Sequence, residues 1–218
     1  MALAIFDLDN TLIGGDSDHA WGQFVSELGA VDKVQFQRQN DLFLQHYKKG
    51  ELDISAYQLF VFDQLKDQPP ETLNEWHRQF MATKIAPMQL NKARQLLEKH
   101  RKEGDYLLII TATIRFVTEP IAKQLRVDDL LASEGEMING RYTGKPTGIP
   151  CFQEGKVERL QNWLKENKQE LAGSYFYSDS HNDLPLLKVV DNPVAVDPDE
   201  TLKNYAEENG WPVISLRD

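Results

Sequence analysis

The stretch that decides the fold is Ala2-Leu3-Ala4-Ile5-Phe6-Asp7-Leu8-Asp9-Asn10-Thr11. Its apolar half is short and contains a β-branched residue, which predicts a buried strand that ends in a polar turn. Residues two apart on a strand share a face, so we expect the carboxylates of Asp7 and Asp9 to lie side by side. Their repulsion is about 3 kcal/mol at about 5 Å and an effective dielectric constant of about 20. This cost favours an oxygen-bound divalent cation, and an ordinary capped turn is the alternative.

The composition is that of a globular protein with room for a substantial core. Of the 218 residues, 41% are apolar and 27% are charged, and no repeat or low-complexity tract is present. This balance predicts one globular unit, or a core domain with a small insertion. The formal net charge of -10 disfavours nucleic acid as a partner, because phosphate backbones bind to clustered basic surfaces.

Several features favour the cytoplasm as the compartment. The single Cys151 cannot form an internal disulfide, which fits a reducing environment. No basic leader precedes an apolar stretch, so we expect no signal peptide. The longest apolar run, at residues 107–110 and their flanks, is far too short to cross a bilayer. We therefore expect a cytoplasmic protein without a membrane partner, and both a monomer and a homodimer remain open.

Residues 16–84 show helical spacing and no strand pattern. The first helix is predicted from apolar residues at positions i, i+3, i+4 and i+7, namely Trp21, Phe24, Val25 and Leu28. Further helices are predicted over about residues 33–47, after Asp53 as N-cap, and from Pro70 onwards. Four consecutive helices predict a helical bundle inserted after the first strand.

Beyond Pro87, strands and helices alternate. The apolar run at residues 106–110 is typical of a strand covered on both faces. Asn139-Gly140 between two short extended segments indicates a β-hairpin. Further short strands are predicted at residues 175–177, 194–196 and 213–215. The alternation predicts a doubly wound, Rossmann-like α/β core with a parallel sheet, formed by residues 1–15 and 85–218, with residues 16–84 as a helical cap domain.

Polar residues follow three of these predicted strands, where ligands of open α/β sheets bind. They are Asp7-Leu8-Asp9, Thr111-Ala112-Thr113 and the segment 178–183. Lys156 follows Gly155 at the start of a helix. In isolation, Thr111 is better interpreted as an ordinary strand-end hydroxyl and Lys156 as a solvated helix residue. Asp179 and Asp183 could equally cap a helix. Together, however, these residues would surround one point with acids, a hydroxyl and an amine.

With these motifs in this order, the chain resembles the haloacid dehalogenase superfamily, close to its phosphoserine phosphatase branch. The resemblance covers essentially the whole chain, because the inserted helices match the cap of that branch. The four matching motifs are Asp7-x-Asp9-x-Thr11 for the nucleophile, Thr111 for phosphate binding, Lys156, and Ser178-Asp179-x-x-Asn182-Asp183 for the metal. The family implies a phosphatase that acts on a small phosphorylated metabolite.

The resemblance also implies the chemical role of each catalytic residue. Asp7 would attack the phosphorus of a monoester and form an aspartyl-phosphate. Asp9 would protonate the leaving alcohol and later deprotonate the attacking water. Thr111 and Lys156 would hold the phosphoryl oxygens. Asn182 is a further candidate for substrate binding.

The same resemblance implies Mg²⁺ as the cofactor. The carboxylates of Asp7 and Asp179 and the backbone carbonyl of Asp9 would be its protein ligands. Asp183 would hold waters in its coordination shell. These oxygen donors suit the cation that the paired acids of the first strand already require.

The cap is expected to select the substrate. In the phosphoserine phosphatase branch an acid nine residues after the nucleophile binds the substrate ammonium, and Asp16 stands at that position. The position of the arginine that binds the serine carboxylate falls on Leu59, which cannot pair with a carboxylate. These matches imply an ester with an amine and no carboxylate, best fitted by L-histidinol phosphate, whose imidazole could stack on Trp21, Phe43 or Tyr57.

Other functions remain open at this stage. Phosphoserine phosphatase, another small-metabolite phosphatase and a phosphotransferase use the same chemistry, whereas a non-catalytic phosphometabolite-binding protein would not need Asp7.

His181 is expected to be peripheral to the chemistry. The remaining histidines show no metal-ligand spacing and are expected on helix surfaces or at core edges, namely His19, His46, His77 and His100.

Overall fold

One sheet forms the centre of the molecule. A computed structural model describes residues 2–29 and 32–217. The strands within these ranges are β1 (Leu3–Phe6), β2 (Tyr106–Ile114), β3 (Asp129–Ile138), β4 (Arg141–Thr147), β5 (Tyr175–Ser178), β6 (Asn192–Val196) and β7 (Val213–Ile214). Their order across the sheet is β4-β3-β2-β1-β5-β6-β7. The β3–β4 pair is antiparallel and the others are parallel. In this order β1 lies between β2 and β5. Because these three strands are parallel, their carboxyl ends lie at the same edge of the sheet.

The helices of the described ranges fall into two sets. Between β1 and β2 lie α1 (Ser17–Glu27), α2 (Lys33–Lys49), α3 (Ile54–Asp63), α4 (Pro70–Phe80) and α5 (Asn91–Glu103). After β2 follow α6 (Arg115–Leu125), α7 (Glu154–Asn167), the short α8 (Leu184–Leu187) and α9 (Glu200–Glu208). The four helices predicted within residues 16–84 are therefore present.

Alternation along β1 sends its side chains into two apolar clusters. Ala4 and Phe6 belong to the cluster that contains residues of α5 and α6, whereas Leu3 and Ile5 belong to the one that contains residues of α7, α8 and α9. Both faces of the sheet are thus covered by helices, as expected of a parallel sheet. The predicted Rossmann-like α/β fold is confirmed.

One strand boundary differs from the prediction. The apolar run predicted a strand that ends near Ile110, but β2 continues to Ile114. The register between β2 and β3 shifts between Ile110 and Ile114, which is the signature of a bulge. The bulge lets the polar residues 111–113 remain in an extended strand while pairing with β3 is interrupted.

The helical insertion packs onto the core through apolar side chains. Phe62 of α3 lies beside Tyr142 of β4, with ring centroids 6.4 Å apart. Trp21 of α1 is fully buried against Phe80 and Phe116, with both centroid distances 5.2 Å. The division into a core and a cap over residues 16–84 stays a prediction, and Met1, Ala30, Val31 and Asp218 of the predicted ranges lie outside the described residues.

The two connections between the insertion and the sheet run side by side. The amide of Gly14 donates to the carbonyl of Met88 at 2.7 Å, and Ile13 forms an isolated antiparallel bridge with Gln89. A π-helical turn over Met81–Ile85 immediately precedes the second connection. Such turns are rare and are frequently found at functional sites. A hinge at Gly14 and Gly15 stays a prediction. If the helical insertion moves, both connections would have to bend together, because they are hydrogen-bonded to each other.

Candidate active site

The site forms where β1, β2 and β5 end next to one another. The strand β1 delivers Asp7 directly into the edge, and the amide of Asp7 still donates to the carbonyl of Tyr177 at 2.9 Å. The neighbouring ends supply Thr111 from β2 and Asp179, which follows β5. Asp7, Thr111 and Asp179 line one pocket together with Asp9. The sequence prediction that these side chains meet at one edge therefore agrees with the geometry.

Lys156 lies beneath this pocket in a buried ion-pair network. Its ammonium Nζ donates to Asp7 Oδ1 at 2.8 Å and to Asp183 Oδ2 at 2.8 Å. Ser178 Oγ donates to the same Asp183 oxygen at 2.7 Å. Burial alone would lower the pKa of Lys156, but the charges of Asp183 and Asp7 outweigh burial and raise it. The lysine therefore stays protonated and offsets part of the acidic charge.

Asp9 has different surroundings from Asp7, although Leu8 alone separates them. The amide of Ser17 donates to Asp9 Oδ1 at 2.6 Å, and the hydroxyl of Thr113 donates to Oδ2 at 2.8 Å. Burial and the nearby charge of Asp16 raise the pKa of Asp9 to about 6. A carboxyl group with a pKa near neutrality is suited to give up and take back a proton.

The bulged end of β2 supplies a hydroxyl that the sequence prediction missed. Thr111 lines the pocket and accepts a hydrogen bond from the amide of Thr113 at 3.2 Å. Thr113 then donates its own hydroxyl proton to Asp9. Both threonines line the pocket, as their spacing of two residues on one strand allows, but the sequence prediction gave a role to Thr111 alone.

Thr11, the last residue of the opening motif, connects β1 to the acidic segment after β5. Its hydroxyl donates to Asp179 Oδ1 at 3.2 Å and accepts from the amide of Asp179 at 3.1 Å. This pair fixes the backbone of Asp179 relative to the first strand. Asp179 is consequently held beside Asp7 rather than free to turn towards solvent.

The buried acids outnumber the cations that contact them. Burial raises the pKa of Asp7 to about 7 despite its contact with Lys156. Burial and the charges of Asp7 and Asp183 raise the pKa of Asp179 well above its usual value. When all are ionised, this cluster has a formal charge of -3, from four carboxylates and one ammonium group, namely Asp7, Asp9, Asp179, Asp183 and Lys156. Such a cluster is stable at neutral pH when a further cation shares it.

The residues present fit Mg²⁺. Asp7, Asp9 and Asp179 bring hard carboxylate oxygens to one pocket, and the one imidazole of its lining within the described residues belongs to His19 of α1. Two carboxylates and one carbonyl, with waters, make an ordinary protein site for this ion. Elsewhere, His100, Glu103 and Asp105 bring three ligand atoms within 4.8 Å of one another. That group is explained by hydrogen bonds of His100 and lies outside the pocket lining.

The cap closes the pocket with acidic and aromatic side chains. Asp16, Phe43 and Tyr57 line it, as the sequence predicted. Five further pocket residues that sequence reasoning did not assign to the site come from α1 and α2, namely Asp18, His19, Asn40, Leu44 and Tyr47. Their positions depend on how the cap helices pack on the sheet, so the helical period alone could not reveal them.

Trp21 and Leu59, which the sequence argument about the substrate used, lie outside the pocket lining. Trp21 does not line the pocket, because it is enclosed in the apolar cluster of α1 and α4. Leu59 is half exposed and does not line the pocket either, so its assignment to a carboxylate site was wrong. It is two residues beyond Tyr57 on α3, about 200° around the helix.

Asn182 likewise lies outside the pocket lining. Its Nδ2 donates to the backbone carbonyl of Tyr47 at 2.9 Å, and its Oδ1 accepts from Gln153 Nε2 at 3.0 Å. The amide therefore links the core to the cap in this conformation. A direct contact with substrate stays a prediction.

Two of the histidines predicted on helix surfaces or at core edges are not on the surface: His100 is fully buried and His19 is half-buried. His100 is 1% exposed, and its ring bonds Asp105 Oδ2 at 2.9 Å and the Tyr177 hydroxyl at 2.8 Å. Polar partners on both ring nitrogens make this burial possible. His19 faces the pocket, where Asn40 Nδ2 lies 3.1 Å from its Nδ1. Burial lowers the pKa of His19.

Comparison with known proteins agrees with this geometry. Residues 4–188 match the family described as haloacid dehalogenase-like hydrolase. The chain belongs to this family. It is 43% identical to a histidinol-phosphatase from Neisseria meningitidis serogroup C, over 99% of each chain. The matched family and this relative identify the chain as a haloacid dehalogenase-type phosphatase.

Solved structures share the fold of this phosphatase. A protein of unknown function from Bordetella pertussis Tohama I superimposes with a TM-score of 0.92 at 41% identity, covering 99% of this chain and 98% of the other. A substrate-bound phosphoserine phosphatase superimposes with a TM-score of 0.73 at 17% identity, covering 98% and 92%. The second likeness concerns the fold alone. Within the described ranges, no helix is long and apolar enough to cross a membrane.

Proposed function

We propose that this phosphatase hydrolyses a small aminated phosphate monoester, best represented by L-histidinol phosphate, with Mg²⁺ and through an aspartyl-phosphate at Asp7. The observation that carries the choice of substrate is the charge of the pocket wall. Asp9, Asp16, Asp18 and Asp179 line it, whereas no lysine or arginine does so among the described residues. An ammonium group is favoured there and a carboxylate is not.

The lining of the pocket, rather than Leu59, now supports a substrate without a carboxylate. A desolvated substrate carboxylate would need a cationic partner. The polar side chains that the helical insertion gives to the lining are two acids, one amide and three rings, namely Asp16, Asp18, Asn40, His19, Tyr47 and Tyr57. Phe43 and Tyr57 supply aromatic surface, with ring centroids 5.2 Å apart. An amine with a flat ring and no carboxylate therefore fits this wall. The relative from Neisseria meningitidis, whose name is histidinol-phosphatase, supports the same choice.

Asp7 and Asp9 divide the chemistry between them. A carboxylate oxygen of Asp7 attacks phosphorus, the bond from phosphorus to the ester oxygen breaks, and Asp9 gives its proton to that oxygen. Water then attacks the phosphorus of the aspartyl-phosphate while Asp9 takes a proton from it, which regenerates both carboxyl groups and releases phosphate. The raised pKa of Asp9, about 6, suits both proton transfers.

The remaining groups hold the phosphoryl group and balance its charge. Thr111 lines the pocket beside Asp7, and its hydroxyl can donate to a phosphoryl oxygen. Lys156 holds Asp7 Oδ1 at 2.8 Å, which leaves Oδ2 for the attack. Mg²⁺, held by Asp7, Asp179 and the carbonyl of Asp9, would neutralise charge on the phosphoryl oxygens. Since phosphoryl transfer depends chiefly on position and charge, this set is sufficient.

A comparison of two amino phosphates tests the substrate. With Mg²⁺ present, we expect kcat/KM for L-histidinol phosphate to exceed that for L-phosphoserine by about 100-fold or more, since an unpaired buried carboxylate costs several kcal/mol. The second candidate, phosphoserine hydrolysis, predicts the reverse order. A chain that turns over neither ester nor a chromogenic phosphate ester would be a binding protein.

The location of the protein in the cytoplasm stays a prediction.

A further inference from the structure

Asp18 presents a carboxylate oxygen that the mechanism does not use. The residue is 6% exposed, lies on α1 and lines the pocket. The hydroxyl of Tyr57 donates to its Oδ2, whereas no donor within the described residues reaches its Oδ1. A buried acceptor without a donor is costly to the protein. Asp18 Oδ1 is therefore an acceptor that a bound ligand can satisfy.

The surface around Asp18 is suited to a flat ring. Tyr57, which holds the other oxygen of Asp18, packs edge-on against Phe43, with an interplanar angle of 66°. Leu44 and Leu52 line the same pocket. Apolar walls with one buried acceptor select a ring that carries an N–H group, because the walls bury the ring and the acceptor orients it.

The charges near Asp18 reinforce this selection. Burial raises the pKa of Asp18 well above its usual value, the hydrogen bond from Tyr57 opposes the rise, and the charges of Asp16 and Asp9 add to it. A phosphate or carboxylate would be repelled here. A ring N–H, neutral or cationic, relieves the same cost that the buried acid imposes.

We propose that Asp18, oriented by Tyr57, is a specificity-determining residue that accepts a hydrogen bond from a ring N–H of the substrate, while Asp16 receives its ammonium. The inference rests on the proposed function and deepens it. In this proposal the pocket binds two nitrogen groups of one ester, the ammonium at Asp16 and the ring N–H at Asp18. It therefore distinguishes an N–H heteroaromatic ring from a hydrocarbon ring of similar size.

The test compares L-histidinol phosphate with L-phenylalaninol phosphate, which keeps the amine, the phosphate and a flat ring but lacks a ring N–H. For the wild-type enzyme, kcat/KM for the first ester should exceed that for the second by about 10- to 100-fold, as expected for one hydrogen bond to a charged group. In Asp18→Ala the ratio should fall to about twofold or less, through a higher KM for L-histidinol phosphate. Asp18→Asn keeps an acceptor oxygen and should restore part of the preference.

The controls separate recognition from folding and from the proposed function. Glu27→Gln changes an acid at the end of the same helix, outside the pocket lining, and should keep the wild-type ratio. Equal losses on both esters in Asp18→Ala would show a structural role and overturn the inference. If that variant does not fold, the wild-type ratio decides: equal turnover of the two esters overturns the inference and leaves the proposed function intact. Turnover of L-phosphoserine with neither ring ester hydrolysed would overturn the proposed function itself.

Discussion

Asp179 and Asp7 meet at the edge of the sheet without enough positive charge between them. Lys156 contacts Asp7 and Asp183 but not Asp179 in the hydrogen bonds and ion pairs of the described residues. Asp179 is instead fixed by Thr11. This arrangement supports the proposal that Asp179 is a metal ligand rather than an ion-pair partner.

Removal of the metal should therefore abolish turnover, and Mg²⁺ should restore it. In Asp179→Asn we expect the Mg²⁺ concentration for half-maximal activity to rise by about 10-fold or more, because one anionic ligand is lost. A titration of chelator-treated enzyme with MgCl₂ measures this. Asp63→Asn, at the exposed end of α3, is the matched control and should titrate like wild type. Full activity in excess chelator would rule out the metal.

The buried His100 gives a prediction about stability at the same scale. Although burial acts in the opposite direction, hydrogen bonds from His100 and from the Ala2 amide hold the pKa of Asp105 below its usual 3.8. A lowered folded-state pKa stabilises the protein above the unfolded value and ceases to do so as the pH falls through the folded value.

Asp105→Asn should accordingly lower the free energy of unfolding at pH 7 by about 1 to 3 kcal/mol. The difference from wild type should shrink as the pH is lowered below about 4, because the wild-type carboxylate then takes up its proton. Urea denaturation at a series of pH values measures both effects. A difference that stays constant across this range would contradict the assigned role of the ionised carboxylate.

At the level of elements, the start of α7 decides where Lys156 lies. Gly155 precedes the lysine, and a Cβ atom there would stand 2.1 Å from the carbonyl oxygen of Pro150. Backbone on both sides of this contact leaves no flexible side chain to move aside. Gly155 therefore allows the loop at Pro150 to pass close to the start of α7, and this contact positions Lys156 for its hydrogen bond to Asp7.

Gly155→Ala should lower the free energy of unfolding by about 1 to 3 kcal/mol and reduce kcat, since the helix start must shift and Lys156 with it. Gly148→Ala is the matched control. Its φ is +70° with open space around the Cβ position, so alanine there costs about 1 to 2 kcal/mol of backbone strain without moving the lysine. Thermal unfolding and kcat are measured for both. A Gly155→Ala enzyme with unchanged kcat would separate this glycine from the site.

At the scale of the whole molecule, Asn182 adds a polar link between the helical insertion and the rest of the chain to the apolar contacts described above. Its side chain joins Gln153 of the core to the carbonyl of Tyr47 near the end of α2. Tyr47 also lines the pocket, and burial together with the charges of Asp183 and Asp7 raises the pKa of its hydroxyl. The contact therefore fixes one edge of the cap over the catalytic acids.

Asn182→Ala should loosen this edge. Loss of one hydrogen bond of ordinary strength predicts amide exchange about 2- to 10-fold faster in the last turn of α2. Lys49→Ala, on the exposed side of the same turn, should exchange like wild type. If Asn182 instead acts by touching the substrate, the variant would raise KM and leave the exchange rates unchanged.

The sequence predicted what depends on local pattern. Asp7, Asp9 and Thr111 could be placed because each lies at or just beyond an apolar strand run, and parallel strands share their carboxyl edge. Helix starts such as Asp53 followed from capping residues, whose side-chain bonds to the amides of Ser55 and Ala56 are both 3.0 Å.

What escaped prediction depends on contacts between distant parts of the chain. The sequence of β2 does not signal its register shift, and the hydrogen bond from Thr113 to Asp9 joins residues 104 positions apart in the chain. The packing of α1 and α3 decides that Asp18 meets Tyr57 while Trp21 is buried elsewhere. The full burial of His100 could not be predicted beyond a helix surface or a core edge, because its partner Tyr177 is 77 residues away in the chain.

The central claim is that Asp7 takes the phosphoryl group during turnover. Rapid acid quench with a radiolabelled phosphate ester, followed by peptide mapping, tests it most directly. The account predicts a transient phosphate on the peptide of Asp7, formed and lost as fast as turnover, and no label in Asp7→Asn, which should be folded and inactive. Turnover without a protein-bound phosphate, or with the phosphate on another residue, would contradict it.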